Sequence, residues 1–390
     1  MTGDTQPLTG RPHYDAPSIT SPTALAPGER QILERLCQGS KSVSLEPLRG
    51  GYSGSRLFLL DRKDREGHVL AKGVAKIDSP EKITRERRGH LLAKDILGPN
   101  VPEVIAFAYE EDLAGVLLSL AGIRRPPLRT LQSVMTSLDG SPETLAELEE
   151  IWDEVLGVLA SLYFPGREER LNLYSHNTFQ EKYSQRTIDR FSTLLSWPAS
   201  RESLLFQEWG LTLKHPRLFY EGVLPPALKR PPWYVACGVA HGDLNGANIL
   251  LDKVKNVWLI DFFHTHENHH LLQDLTKLEN DLKFLMTPLP SDEDLKALVR
   301  MEGLVQEQNS LTEPLPEVVA LPSRILKTYN SIRRLREFAS QVTVDPGIGN
   351  YRIPLLRYAA HTMGFEECTL LQKKAAAVSV ALLCEKLSRG

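Results

Sequence analysis

The segment VAHGDLNGANILLD, residues 239–252, sets Asp243, Asn245 and Asn248 in a short glycine-containing loop between apolar runs. A hairpin turn needs only an Asn-Gly or Asp-Gly pair. This loop carries more polar equipment than turning requires. A second acid, Asp261, stands at the end of the next apolar run, VWLI at 257–260. Two strand-like segments, each adjoined by a carboxylate, form the pattern from which the fold is read. Asp243 has the chemistry to accept or orient the proton of a nucleophile. Asn248 and Asp261 offer hard oxygen atoms, the donors that magnesium prefers, and magnesium is commonly held by one or two carboxylates plus phosphates.

The whole chain sets the bounds. Its 390 residues suffice for one large two-lobed domain or for two to three ordinary ones. Apolar residues make up 42% and charged residues 24%, close to the globular average, so a sizeable core is available. The net charge of −3 gives no global reason to expect nucleic acid as a partner. Cys37, Cys237, Cys368 and Cys384 are scattered with no CxxC pair, which argues against a zinc knuckle and against a disulfide framework. No apolar run approaches membrane-spanning length. A soluble, cytoplasmic protein without a membrane or nucleic-acid partner is expected.

Texture changes along the chain. Residues 1–28 are rich in Pro, Thr, Ser and Gly and read as a disordered leader. GERQILERLCQG reads as a short helix with Ile32, Leu33 and Leu36 on one face. From Val43 the segments SVSLEPL, RLFLLD and HVLAKGVAKI are strand-like, a charged helix opens at Ser79-Pro80, and EVIAFAY and GVLLSLAG are strand-like again. Residues 43–122 therefore read β-β-β-α-β-β. Helical periodicity dominates afterwards, as in SPETLAELEEIWDEVLGVLASLYF and in the last sixty or so residues. The expected class is α+β: a β-rich N-lobe over 29–122 and a helical C-lobe over 123–390, with a cleft between them.

Two further features precede the opening loop. Gly50, Gly51 and Gly54 lie between two strand-like segments in LRGGYSGSRLF. Such a loop can bring backbone N–H groups against phosphate oxygens, because glycine leaves room and tolerates unusual dihedrals. Lys76 sits inside the apolar strand GVAKI, where an ammonium is costly without a partner. A phosphate and a helix carboxylate would satisfy it, with Glu86 the first choice and Glu81 the second.

In this order the motifs resemble those of the protein-kinase-like phosphotransferases, and most of all the aminoglycoside phosphotransferase branch with its choline and fructosamine kinases. HGDLNGAN has Gly242 where protein kinases have Arg. HGDLNGANILLD, VWLIDFFHT and DLTKLENDL also resemble the ternary-complex-associated phosphotransferase-like domains of bacterial signalling systems. The resemblance covers roughly residues 43–285. It implies ATP and Mg2+ as cofactors, Asp243 as the catalytic aspartate, Asn248 and Asp261 as metal ligands, and Lys76 with Glu86 on the α/β-phosphates. Leu118 to Gly122, Leu120 included, would form the hinge where backbone groups meet adenine. His241 would shape the loop and Asp274 would anchor its backbone.

The chain also departs from that pattern. GGYSGS is not G-x-G-x-x-G, Phe263 replaces the glycine of D-F-G, and no A-P-E string follows. Helical sequence resumes soon after Asp261, leaving little room for a peptide-docking segment. The reading is a phosphotransferase acting on a hydroxyl or amine of an unidentified small-molecule or dedicated partner acceptor. A pseudokinase-like nucleotide-binding module with a signalling-complex partner, and nucleotidyl transfer on the same fold, are the alternatives. The histidines at 264, 266, 269 and 270, beside Glu267, offer metal-ligand chemistry, with His266 and His270 expected on one helix face. A polar loop feeding a helix is the simpler reading, and recognition or gating of the acceptor is a better use of the cluster than metal binding.

Overall fold

The computed structural model describes residues 16–48, 54–120, 128–177, 179–318 and 320–389. Gly50, Gly51 and Gly122 lie outside them. The chain divides into two compact units, residues 1–87 with 102–124, and residues 88–101 with 125–390.

The first unit is a six-stranded sheet in the order β1-β2-β3-β4-β6-β5. Its strands are β1 (Ser18–Thr20), β2 (Ser40–Pro47), β3 (Arg56–Asp64), β4 (Gly73–Asp78), β5 (Glu103–Tyr109) and β6 (Ala114–Ser119). Helix α1 (Pro27–Leu36) precedes β2, and α2 (Pro80–Leu97) follows β4. The β-β-β-α-β-β order read over 43–122 is found, with one strand more. Strand β1 falls in the stretch expected to be a leader and so corrects that expectation from Ala16 onward; residues 1–15 lie outside the described set. Its three residues pair in parallel with Ser42–Ser44, and Ile19 packs against the apolar cluster of this sheet.

Strand alternation explains the two faces of the sheet. Ala75 and Ile77 point to the face covered by α1, where they meet Ile32, Leu33, Phe58 and Leu117. Lys76 and its cross-strand partner Val116 point the other way. There Val116 packs with Ile83, one turn into α2. The buried lysine thus lies on the same face as the helix that carries Glu86.

The second unit takes in residues 88–101 as well as 125–390. The reason is local packing. His90 stands edge-on to Phe262 with ring centroids 5.6 Å apart, and Asn100 Nδ2 donates to the carbonyl of Val257 at 2.9 Å. Gly89 lies so close to the Phe262 carbonyl that a Cβ would collide with it.

This unit continues through β7 (Arg129–Thr130), α3 (Leu131–Ser137), α4 (Pro142–Tyr163), β8 (Arg167–Leu171), α5 (Leu173–His176) and α6 (Glu181–Leu194). A hairpin, β9 (Ser203–Phe206) with β10 (Leu211–Lys214), and the short α7 (Leu224–Ala227) lead to β11 (Trp233–Ala240). Strands β12 (Ile249–Leu251), β13 (Val257–Leu259) and β14 (His266–His270) follow, then α8 (Leu272–Phe284), α9 (Asp292–Glu307), α10 (Ser323–Val342), α11 (Gly349–Thr362) and α12 (Leu370–Ser388). Helix α4 starts as its sequence predicts: Ser141 accepts the N–H of Thr144 and Pro142 occupies the first turn. The small sheets β14-β11-β8 and β13-β12-β7 are antiparallel.

Helix α8 is the centre of this unit. All of its residues except Lys277 are buried, four other charged side chains among them. Such burial is tolerable only with charge pairing. Glu279 accepts from Arg336 Nε and Nη2, each at 2.8 Å, from Lys283 at 2.5 Å and from the Tyr351 hydroxyl at 2.8 Å. Lys283 also meets Glu302 at 2.8 Å. These cations hold the Glu279 carboxyl down at about 2 although burial pushes the other way.

Candidate active site

The loop from Ala240 to Asn248 joins β11 to β12 and is pinned from below by α8. Asp274 accepts the N–H of His241 at 2.7 Å on Oδ2 and that of Gly242 at 2.9 Å on Oδ1. The hydroxyl of Tyr163 adds a third bond at 3.1 Å. Asp274 is 1% exposed, so these are charge-assisted bonds in a low-dielectric interior.

His241 connects the two acid-bearing segments. Its ring is fully buried against Phe262, with centroids 5.2 Å apart. The Asp243 N–H donates to Nδ1 at 3.4 Å, which leaves Nε2 to carry the proton and donate to the Ile260 carbonyl at 2.8 Å. Thr265 Oγ1 donates to the His241 carbonyl at 3.0 Å. Ile260 N–H in turn donates to the Asn248 carbonyl at 3.1 Å, continuing the β12–β13 ladder. The loop before Asp243 and the residue before Asp261 are therefore tied by one imidazole.

Gly242 is required for this geometry. Its φ is +80°, and a Cβ would lie 2.5 Å from the His264 carbonyl oxygen and 2.7 Å from His269 Nε2. Asn248 donates through Nδ2 to the Asp243 carbonyl at 3.0 Å. That bond leaves Oδ1 as the atom available to a cation. Asp261 adopts φ +65°, a left-handed conformation that costs a non-glycine residue energy and recurs at functional sites. Asn248 Oδ1 and the Asp261 carboxylate are hard oxygen donors of the kind that a divalent cation such as magnesium takes.

The carboxylate of Asp243 is 39% exposed and faces Lys277, whose Nζ lies 3.4 Å from Oδ1. Lys277 also approaches Asp281 at 3.8 Å and lies 5.5 Å from the centre of the Tyr358 ring. Burial works against its charge, but Asp281 and Asp243 outweigh that and raise its pKa. The sequence reading quoted DLTKLENDL without assigning Lys277 a role. A usable signal was the i, i+4 spacing of Lys277 and Asp281, but that spacing is ordinary on any solvated helix.

In the first unit Lys76 Nζ meets Glu86 Oε2 at 2.7 Å, both side chains nearly buried. The alternative partner, Glu81, is not the one chosen: the face shared by Lys76 and the second turn of α2 selects Glu86. Leu118 lies in β6 opposite Val74, and Leu120 N–H donates to the Lys72 carbonyl at 2.9 Å. Gly54 has φ +74°.

The histidine cluster is corrected. His266–His270 form strand β14, paired with β11, so His266 and His270 do not share a helix face. His269 donates to the His264 carbonyl and stacks on His266 at 3.5 Å, while His270 is buried. Among the described residues, the one group of three ligand-type side chains within reach of a common ion is Asp64, Glu66 and His68. There Asp64 Oδ1 accepts the N–H groups of Glu66 and His68, which explains the cluster as a turn.

Residues 184–364 match the family model described as ternary complex associated domain 9. That span contains Asp243, Asn248, Asp261, Asp274 and Lys277. Solved structures are similar over most of the chain. Choline kinase from Cryptosporidium parvum Iowa II is 15% identical, with 89% of each chain covered and a TM-score of 0.39. An aminoglycoside phosphotransferase from Streptomyces rimosus is 16% identical, over 75% of this chain and 92% of that one, with a TM-score of 0.34. Ethanolamine kinase from Plasmodium vivax is 12% identical, over 92% and 83%, with a TM-score of 0.36. None of the curated protein sequences compared matches significantly. The resemblance of the motifs to the ternary-complex-associated branch agrees with the family-model match over residues 184–364. The mixed class, with a sheet in the N-terminal region and helices in the C-terminal region, agrees with it. Among the described residues no helix is long and apolar enough to cross a membrane.

Proposed function

We propose that this protein is a magnesium- and ATP-dependent phosphotransferase acting on a hydroxyl or amine group. The supporting observation is the pinned loop, in which Asp274 and His241 hold the backbone and leave the Asp243 carboxylate accessible. Phosphoryl transfer asks chiefly for positioned groups and neutralised charge. Asp243 would orient the acceptor and take its proton. The acceptor oxygen or nitrogen would bond to the γ-phosphorus as the bond to the β,γ-bridging oxygen breaks and ADP leaves. Asn248 and Asp261 would hold magnesium, which when bound supplies positive charge to the phosphates. Lys76, oriented by Glu86, would pair with the α/β-phosphates, and Leu118 and Leu120 would line the adenine.

The test measures two quantities on one set of variants. Asp243→Ala should abolish phosphoryl transfer, seen as ADP release across a metabolite panel, while binding of a fluorescent ATP analogue persists. Transfer at wild-type rate without Asp243 would remove that residue from the mechanism.

One observation favours a second reading. Lys277 engages the carboxylate that the acceptor would need, and the matching family is described as ternary complex associated. A nucleotide-binding module for a signalling complex would use the loop in this way. Mass spectrometry after incubation with ATP and magnesium separates the readings: a phosphate adduct on an acceptor, an AMP adduct, which would indicate nucleotidyl transfer, or bound nucleotide that is never consumed.

A further inference from the structure

Beyond Lys277, helices α11 and α6 carry three arginines, Arg357, Arg186 and Arg190. Arg357, on α11, lies 5.5 Å from the Tyr358 ring centre, as does Lys277. One turn further, His361 is 6.2 Å from the ring of Tyr183 on α6, and Arg186 lies 5.9 Å from that same ring. Arg190, one turn beyond Arg186, lays its guanidinium against Gly364. Lys277, Arg357, Arg190 and Arg186 are all close enough to His361 to act on its charge, so these groups share one face with Asp243, the partner of Lys277.

The arginines of this face lack ion-pair partners. Among the described residues, Arg186, Arg190 and Arg357 have no carboxylate within ion-pairing distance, in a chain with many such pairs. Arg186 and Arg190 are four residues apart on one helix, a like-charge spacing that destabilises a helix. The nearby acids are otherwise engaged. Asp243 and Asp281 share Lys277, and Asp189 accepts from Gln185 at 2.9 Å. His361 responds to the imbalance: partial desolvation first, then Arg357, Lys277, Arg190 and Arg186, push its pKa down to about 4, so it is neutral and can accept or donate a hydrogen bond.

We propose that this face of α6, α8 and α11 binds an oxyanionic group of the acceptor, so that the acceptor is a hydroxyl compound carrying a phosphate or a carboxylate. The proposal rests on the phosphotransferase reading for the word acceptor, but the anion site stands or falls by itself. Guanidinium groups are suited to it because their planar donors match both oxyanions in bidentate fashion. Lys277 would then be a positioning residue, bridging Asp243 and the bound anion.

The test is calorimetric titration of the nucleotide-free protein with glycerol 3-phosphate, glycerate and glycerol. Anionic probes should bind and glycerol should not, and the stronger of the two anions identifies the group. Arg190→Gln combined with Arg357→Gln should weaken anion binding by about tenfold or more, as expected for lost charge-assisted bonds. The matching Lys double variant should retain most of the affinity. Lys76→Met should leave anion binding unchanged, because a phosphate held at a nucleotide subsite would instead be lost. If the Gln double variant does not fold, by circular dichroism, Arg186→Gln carries the same test from an exposed position. Titration with a fluorescent ATP analogue is run in parallel. Anion binding that depends on the arginines without nucleotide binding supports this site and sinks the phosphotransferase reading. Nucleotide binding with no anion affinity, or with affinity indifferent to the arginines, overturns the proposal alone.

Discussion

Replacing Asp274 by Asn tests whether the loop is held in place by charge-assisted hydrogen bonds. The carboxylate accepts from two backbone N–H groups and one phenol, all buried. Hydrogen bonds to a charged group contribute about 1.5–3 kcal/mol each, and a buried donor left unpaired costs about 1–3 kcal/mol. An amide of the same shape keeps one oxygen but turns an NH2 toward a donor. The expected loss is about 3–4 kcal/mol of unfolding free energy. Tyr163→Phe removes a single donor and should cost about 1 kcal/mol. The two residues are partners, so their effects should not add; in the Asn background the Phe substitution should be nearly neutral, because the stranded hydroxyl is gone. Urea denaturation of the four proteins, with the slope checked for constancy, gives the cycle. If nucleotide turnover is measured on the same proteins, kcat should fall with Asp274→Asn while the KM for nucleotide changes little. An Asp274→Asn protein within about 1 kcal/mol of wild type, or an additive cycle, would mean that the loop is held by something other than Asp274.

Three further outcomes follow from the same geometry. Glu279→Gln leaves Arg336 and Lys283 buried with half their compensation, so stability should fall by about 3–5 kcal/mol in denaturant melts. Gly242→Ala forces a side chain into a left-handed position against the His264 carbonyl; we expect at least about 1–2 kcal/mol of destabilisation and loss of transfer, seen by thermal melts and by ADP release. His270 is buried, and burial first, then the neighbouring His176, pushes its pKa from 6.5 down to about 3. The unfolded chain therefore binds the proton first, so its contribution is complete above pH about 6.5 and is lost as pH falls toward about 3, by roughly 5 kcal/mol at the acid end. Melting curves across that window should steepen less in His270→Leu, and an unchanged acid slope would remove His270 as the cause.

Much of the site was legible because its determinants are local. HGDLNGAN is a short loop between strands, and the acid after VWLI closes the next strand; backbone pairing of adjacent segments needs no distant information. The β-β-β-α-β-β order followed from period-two apolar patterning and a Ser-Pro helix start. Glu86 was named for Lys76 with Glu81 second, and the packing of α2 decided between them. Three things were not local. Strand β1 pairs only because β2 offers an edge, and three residues carry no readable period. HENHH looked helical because its histidines precede a strong helix, whereas the edge of β11 makes it a strand. Lys277 and the arginines at 186, 190 and 357 are spread over three helices and read singly as solvated charge. Sequence by itself set the β-β-β-α-β-β order and the loop chemistry, since those depend on neighbours in the chain. Only tertiary packing decided which charges meet, because Coulomb and hydrogen-bond energies depend on distance in space.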